Sequence, residues 1–100
     1  MERRNLIFIS GKITGLNYYY AFQKFKAAEK RLTQLGYEVK NPMRLCKPHW
    51  SWLRCMIVCL WNLIRCPEVY FLDNYTYSRG ARIEYRVALF MKKTIIIQRR

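Results

Sequence analysis

Asn5-Leu6-Ile7-Phe8-Ile9-Ser10 is the stretch that decides the fold, a short apolar run that ends at Gly11. A continuous apolar run of this length is typical of a strand buried on both faces, as the strands of parallel sheets are. We therefore expect this segment to lie inside a sheet that other elements cover.

The segments that follow alternate between helix and strand patterns. Asn17 is placed as a helix N-cap, and Gly36 is placed to end that helix. The apolar face of this helix consists of Ala21, Phe22, Phe25, Ala28, Leu32 and Leu35. We predict strands at 37–39, 69–72 and 94–97, and helices at 52–65 (capped by Ser51) and from about 79 to 93. The order βαβαβαβ predicts an α/β fold with a parallel sheet that helices cover on both faces.

Length and composition favour one domain over residues 1–100, because 100 residues leave no room for a second core. The chain carries 19 Lys and Arg residues against 6 Asp and Glu residues, a net charge of +13. Such a balance favours anionic partners. The basic residues are spread from Arg3 to Arg100, so a merely basic surface explains the charge equally well. A phosphate-bearing small molecule is favoured over nucleic acid among the anionic partners.

The four cysteines are expected to be free, reduced thiols in a cytoplasmic protein. The apolar run 6–9 is interrupted by Ser10, Gly11 and Lys12, which argues against a signal peptide and hence against an oxidising compartment. The chain has no Cys-x-x-Cys, and its one histidine, His49, lies in a different segment from the helical cysteines. These spacings predict no metal site, and no cofactor is expected. The apolar segment 55–64 is too short to span a bilayer and is predicted to be a buried helix.

A ligand site is expected where the first and third strands end. Ligands of open parallel sheets bind at the carboxyl ends of strands, and in the strand order 2-1-3-4 these two strands are neighbours. The loops that follow them, 10–15 and 73–80, each feed a helix N-terminus, which favours anions. Possible phosphate donors in these segments are Lys12, Thr14, Ser78, Arg79 and Arg82. The alternative is that the glycines only serve tight turns, since neither loop is a Gly-x-Gly-x-x-Gly or Walker motif.

Glu84 is the acidic residue of interest, because it lies one turn into the helix that follows Gly80. A carboxylate near a helix N-terminus, with Arg79 and Arg82 close in sequence, is expected to stay ionised at neutral pH. Such a group suits a nucleophile or an electrostatic stabiliser. The alternative is a solvated glutamate that pairs with Arg82 or Arg86.

The chain resembles the nucleoside 2-deoxyribosyltransferase-like superfamily, and within it a small bacterial and phage group. The residues that carry the resemblance are Ile7–Gly15 (IFISGKITG), Leu35–Val39 (LGYEV), Asn41-Pro42-Met43, Trp50-Ser51-Trp52, Met56, Cys66 and Ser78–Glu84 (SRGARIE). The resemblance implies a three-layer, flavodoxin- or Rossmann-like sheet and cleavage of an N-glycosidic bond. It also implies a homo-oligomer, a dimer or larger.

Site residues follow from the same resemblance. It implies that Glu84 attacks the anomeric carbon of a 2-deoxyribosyl group, which is the chemistry of a retaining mechanism. Ser78 stands where transferases acting on free nucleosides carry aspartate and where 2′-deoxynucleoside 5′-monophosphate hydrolases carry a phosphate-holding serine. Hydrolysis of a nucleotide is therefore favoured over base exchange. The expected substrate-binding residues are Gly11, Lys12, Ile13, Thr14, Gly15, Ser78, Arg79 and Gly80.

Cys59 departs from the family pattern, because relatives commonly have aspartate at that position. A thiol does not replace a carboxylate as an acceptor at neutral pH. A non-catalytic nucleotide-binding or sensing protein is therefore an alternative function, and a basic nucleic-acid-binding module is a second one. Candidate aromatic residues for stacking on a base are Tyr18, Tyr19, Tyr20, Tyr75 and Tyr77, with structural packing as the alternative role.

Overall fold

The computed structural model describes residues 5–99, and its elements alternate as the sequence predicts. The strands are β1 (Leu6–Ser10), β2 (Glu38–Lys40), β3 (Glu68–Phe71) and β4 (Thr94–Ile97). The helices are α1 (Tyr18–Gln34), α2 (Pro42–Leu45), α3 (Trp52–Arg65) and α4 (Arg79–Phe90), with a 3-10 turn at Tyr75–Tyr77. The short α2 and the 3-10 turn lie in segments that the sequence predicts as loops.

The four strands form one parallel sheet in the order β2-β1-β3-β4, which confirms the predicted α/β class and strand order. The pairing of Ile9 with Tyr70 and of Ser10 with Phe71 brings the carboxyl ends of β1 and β3 together. Every residue of β1 is buried, as its continuous apolar run predicts. The switch point between β1 and β3 therefore lies at the centre of the sheet.

Helices cover both faces of the sheet and give three layers. Alternate side chains of β1 point to opposite faces, so Ile7 and Ile9 pack with Phe25 of α1 while Phe8 packs with Leu63 of α3. Ala88 of α4 belongs to the same cluster as Phe8. Within residues 5–99, no helix combines the length and the apolar character needed to cross a membrane.

The helix ends follow the sequence closely. The side chains of Asn17, Ser51 and Ser78 accept hydrogen bonds from the backbone N–H groups of residues 20, 54 and 81. Asn17 and Ser51 thus act as the predicted N-caps, whereas the capping role of Ser78 was not predicted. Gly36 has φ 100°, the left-handed conformation that ends a helix most readily at glycine. Helix α4 ends at Phe90 rather than near Lys93, because Lys92 turns the chain at φ 57°.

The cysteines differ from the prediction of four free thiols. Cys46 and Cys55 form a disulfide bond, whereas Cys59 and Cys66 are free and buried. The reason is the tertiary packing of two helices. Cys46 lies at the C-terminus of α2 and Cys55 in the first turn of α3, and their Cα atoms are 5.6 Å apart, a distance that a disulfide spans.

Candidate functional site

A cavity of about 340 Å³ opens at the carboxyl edge of the sheet, beside β1 and β3. Its size falls within the range of small-molecule sites. Its lining comes from the loop after β1, the start of α1, α2 and the loop after it, and the facing turns of α3 and α4. The lining residues are Gly11, Ile13, Thr14, Tyr18, Pro42, Met43, Cys46, Lys47, Pro48, Trp50, Ser51, Trp52, Cys55, Met56, Cys59, Ser78, Gly80, Ala81 and Glu84.

The loops after β1 and β3 are hydrogen-bonded to one another. The backbone N–H of Lys12 donates to Asn74 Oδ1 at 3.1 Å, and Lys12 Nζ donates to the carbonyl of Tyr77 at 3.1 Å. The N–H of Leu72 also donates to the carbonyl of Ser10 at 2.8 Å. These bonds fix the β1 loop against the segment that leads into α4.

Glu84 projects from the second turn of α4 and lines the cavity, yet only 5% of it is exposed to solvent. Ser10 Oγ donates a hydrogen bond to its Oε1 at 2.5 Å. Burial raises the pKa of Glu84 to about 7, and the bond from Ser10 opposes this only in part. The expectation of a carboxylate that stays ionised at neutral pH is therefore wrong, because desolvation outweighs the helix N-terminus.

The neighbouring arginines do not offset that desolvation. Arg82 Nη1 donates to the carbonyl of Thr76 at 3.0 Å, and the Arg79 guanidinium stacks on the Trp52 ring at 4.3 Å from its centroid. Among residues 5–99, no ion pair involves Glu84. The alternative, a solvent-exposed Glu84 that pairs with Arg82 or Arg86, is therefore wrong.

Gly11 and Gly80 permit close approach rather than an unusual turn. A Cβ at Gly11 would lie 2.7 Å from the Leu72 side chain, and one at Gly80 would lie 2.9 Å from Met56 Sδ. Neither glycine has a positive φ, in contrast to Gly15 at φ 89°. Gly80 therefore lets α4 pack against α3, which closes the cavity around Glu84.

The structure brings some of the sequence-derived site residues together and leaves others apart. Those that line the cavity are Gly11, Ile13, Thr14, Ser78, Gly80 and Glu84. Lys12, Gly15 and Arg79 do not line it. The Lys12 ammonium donates to the carbonyl of Tyr77, and the Arg79 guanidinium stacks on the Trp52 ring. The three cations expected to meet a phosphate, Lys12, Arg79 and Arg82, thus contact other parts of the protein.

Sequence reasoning missed the wall between β2 and α3. This wall contributes Lys47, which is the one Lys or Arg lining the cavity within residues 5–99, together with Trp50 and Trp52. A signal was present, because the connection after β2 must leave from the same edge of a parallel sheet as the other two loops. Trp50 in that connection and Trp52 at the start of α3 were a reason to place it at the site.

The candidate tyrosines divide in the same way. Tyr18, at the start of α1, lines the cavity. Tyr75 packs against Phe71 and Tyr85, with ring centroids 5.0 and 5.4 Å apart, which is the structural role. Tyr19, Tyr20 and Tyr77 are exposed and do not line the cavity.

Cys59 faces the cavity from α3, close enough to Glu84 for the two groups to interact electrostatically. Burial, and then the negative charge of Glu84, raise the pKa of its thiol above the ordinary range, so the group is neutral at neutral pH. The Sγ atoms of Cys46, Cys55 and Cys59 all lie within 4.8 Å of one another. The sequence spacing of the cysteines could not show this cluster. Its members do not form a Cys-x-x-Cys motif, because Cys46 ends α2 while Cys55 and Cys59 lie on successive turns of α3.

Comparison with known proteins places the chain at family level. The family model described as Domain of unknown function (DUF4406) matches residues 5–97, which includes all four strands and every residue that lines the cavity. No curated protein and no solved structure matches the chain. Because the match extends over nearly the whole sequence, the chain belongs to the DUF4406 family.

Proposed function

We propose that this chain is an N-glycosidase of the nucleoside 2-deoxyribosyltransferase-like superfamily, acting on a 2′-deoxynucleoside 5′-monophosphate. The observation that carries the proposal is the Glu84 carboxyl group, which lines a ligand-sized cavity while being almost fully buried. A buried carboxyl with a strongly shifted pKa in a cleft is typical of catalytic groups. The resemblance of the segment 78–84 to that superfamily supports the same role.

The proposed reaction has two displacements at one carbon. The Glu84 carboxylate attacks C1′ of the deoxyribosyl group as the C1′–N bond breaks, and the bonding electron pair leaves with the base, which takes a proton from water. Water then attacks C1′ of the glycosyl ester, which releases deoxyribose 5-phosphate and regenerates the carboxylate, and the proton lost by this water neutralises the hydroxide left by the first step. Hydrolysis is proposed over base exchange because Ser78 replaces the aspartate of nucleoside transferases.

The protonation state of Glu84 limits this chemistry at neutral pH. Because burial raises its pKa to about 7, Glu84 is only partly ionised at neutral pH. Within residues 5–99, Glu84 is the single carboxyl group that lines the cavity, so no second carboxylate acts as acid. Ionised Glu84 is therefore assigned the nucleophilic role, and proton transfer to the base is assigned to solvent.

The phosphate would bind at the N-terminus of α4. Ser78 Oγ accepts from the N–H of Ala81 at 3.2 Å, which leaves its hydroxyl proton available to a phosphate oxygen. The helix N-terminus favours an anion, and Lys47 supplies a positive charge to the same cavity. The aromatic rings of Tyr18, Trp50 and Trp52 provide flat apolar surface for the base.

The direct test is release of free base from a panel of deoxynucleosides and their 5′-monophosphates. We expect release from at least one monophosphate, and loss of that release in Glu84→Gln. Glu38→Gln is the matched control, because Glu38 is an exposed carboxyl on β2, away from the cavity. Equal release by Glu84→Gln and by the unmodified protein would exclude Glu84 as the nucleophile.

The phosphate assignment has its own test. Lys47→Gln should raise KM for the monophosphate several-fold and leave KM for the corresponding nucleoside unchanged, because only the monophosphate carries the anion. Lys92→Gln, in the turn between α4 and β4 and outside the cavity, is the control. An equal change in both KM values would show that Lys47 maintains the shape of the cavity and does not bind the phosphate.

Cys59 favours a second candidate function, a nucleotide-binding protein that does not turn over its ligand. A neutral thiol now stands beside Glu84 where relatives have a carboxylate. This function predicts that a monophosphate raises the melting temperature while no base is released. The nucleic-acid-binding alternative, which depends on charge alone, instead predicts DNA or RNA binding that weakens steeply with salt.

A homo-oligomer is proposed through the outer face of α3. Its exposed apolar side chains are Leu53, Ile57, Trp61 and Ile64. Each chain carries a net charge of +13, so two copies repel one another except where their contact surfaces carry little charge. The helix α3 has only two charged residues, Arg54 and Arg65, and its exposed apolar side chains form such a surface. Light scattering after gel filtration should show that Trp61→Lys lowers the mass to that of a monomer, whereas Phe90→Lys, on exposed α4 surface, does not.

A further inference from the structure

The cavity wall opposite α4 contains a cluster of three sulfur atoms that the proposed glycosidase reaction does not use. Cys59 Sγ lies 3.7 Å from Cys46 Sγ and 3.8 Å from Cys55 Sγ. Two thiolates bound tetrahedrally to one zinc ion, each at about 2.3 Å, are separated by about 3.8 Å. Two edges of a three-thiolate site therefore already have the required length. The third edge is the Cys46–Cys55 disulfide, which must open for the site to form.

Each of the three cysteines lies in or at the end of a helix. Cys55 and Cys59 are four residues apart on α3, so their side chains lie on one helix face. Cys46 caps α2, where its N–H donates to the carbonyl of Pro42 at 2.9 Å. The Cα atoms of Cys46 and Cys55 lie 5.6 Å apart. Secondary structure thus fixes Cys55 and Cys59 on α3 and Cys46 at the end of α2.

All three cysteines also line the cavity, which leaves one side of the cluster facing open space. Zinc sites with three protein ligands and a fourth position open to a cleft are typical of catalytic zinc, and thiolates select soft or borderline ions over magnesium and calcium. We propose that, in the reduced chain, Cys46, Cys55 and Cys59 bind one Zn²⁺ ion whose fourth coordination position faces the cavity.

Formation of this site requires one redox step and one proton release. A dithiol reductant transfers two electrons and two protons to the Cys46–Cys55 bond, which breaks to give two thiols while the reductant becomes a cyclic disulfide. Cys59 is already a free thiol. Zn²⁺ then binds three sulfurs and displaces three protons to solvent. The disulfide and the metal site exclude each other, so the ion binds only the reduced protein.

The test uses Cd²⁺ as a spectroscopic probe for the zinc site and measures no enzymatic activity, which keeps it independent of the proposed function. The full chain is reduced with a dithiol, freed of reductant under nitrogen, and titrated with Cd²⁺. We expect an ultraviolet thiolate-to-metal charge-transfer band that saturates at one ion per chain, and Cd²⁺ added to the Zn²⁺-loaded reduced chain should release one Zn²⁺ per chain, because the softer ion binds thiolates more tightly. The oxidised chain, which has the same sequence, should give no such band.

Serine variants assign the ligands. Cys46→Ser, Cys55→Ser and Cys59→Ser should each weaken Cd²⁺ binding by at least about tenfold and reduce the band, whereas Cys66→Ser should bind as the unmodified protein does. Cys66 is the matched control because it is a buried free cysteine that lies outside the cluster. No band at one equivalent in the reduced protein, or full binding by Cys59→Ser, would overturn the proposal. Where a variant fails to fold, the reduced and oxidised forms of the unmodified chain decide the question.

Discussion

Ser10, the last residue of the central strand β1, donates a hydrogen bond of 2.5 Å to the carboxyl group of Glu84 in α4, although 74 residues separate them in sequence. Both residues are buried. A buried carboxylate with so few donors is poorly compensated for lost solvation, so its protonated form persists to higher pH. The ionisation state of this cavity therefore changes near neutral pH.

The pH dependence of base release tests the role of Glu84. If Glu84 is the nucleophile, kcat/KM should rise with pH and level off above about 7, because only the ionised carboxylate attacks carbon. The measurement is initial rate of base release from a deoxynucleoside monophosphate at low substrate concentration. A rate that falls as pH rises through this value would instead assign Glu84 as a general acid.

Removal of the Ser10 hydroxyl should move that pH profile. The hydrogen bond from Ser10 lowers the pKa of Glu84, so Ser10→Ala should raise this pKa further and shift the rising limb to higher pH. Hydrogen bonds to charged groups contribute about 1.5–3 kcal/mol, which corresponds to a shift of about one to two pH units. A purely structural effect of Ser10→Ala would lower the plateau rate and leave the midpoint of the limb in place.

Glu84 should also make the folded protein less stable at alkaline pH. Its pKa is about 7 in the folded state against 4.5 for an ordinary glutamate, so between these values the folded chain binds more protons than the unfolded chain. The free energy of unfolding therefore falls as pH rises through this window, by about 3 kcal/mol from this group. This contribution is fully present below the unfolded pKa and is lost above the folded one.

The check is urea unfolding of Glu84→Gln between about pH 5 and pH 8. The glutamine cannot ionise, so the variant should lose this slope and be more stable than the unmodified protein at the alkaline end. Glu38→Gln, which replaces an exposed carboxyl, should keep the original slope. An unchanged slope in Glu84→Gln would contradict the raised pKa.

The elements and the strand order could be predicted because local signals agree with the fold. The apolar run of β1, the caps at Asn17 and Ser51, and the break at Gly36 each act over a few residues. These signals also placed Glu84 near the first loop.

The charge state of the site could not be predicted in this way, because it depends on long-range packing. Gly80 lets α4 approach Met56 of α3, and this approach removes Glu84 from water while Arg79 and Arg82 find partners outside the cavity. The Cys46–Cys55 bond likewise depends on where α2 directs the following loop. Neither the raised pKa of Glu84 nor the Cys46–Cys55 disulfide can therefore be predicted from a local sequence pattern.

The two close-packed glycines should respond differently to alanine. A Cβ at Gly11 would lie 2.7 Å from Leu72 Cδ1 and 3.0 Å from its Cβ, and Leu72 is fully buried in the core. Gly11→Ala is therefore expected to lower the free energy of unfolding by about 1–3 kcal/mol, as overpacking of a core does. At Gly80 the nearest atom is the flexible thioether of Met56, and alanine also favours the helix by up to about 1 kcal/mol. Gly80→Ala should thus be close to neutral in urea unfolding, and a larger loss at Gly80 than at Gly11 would show that α3 and α4 are packed more rigidly than β1 against Leu72.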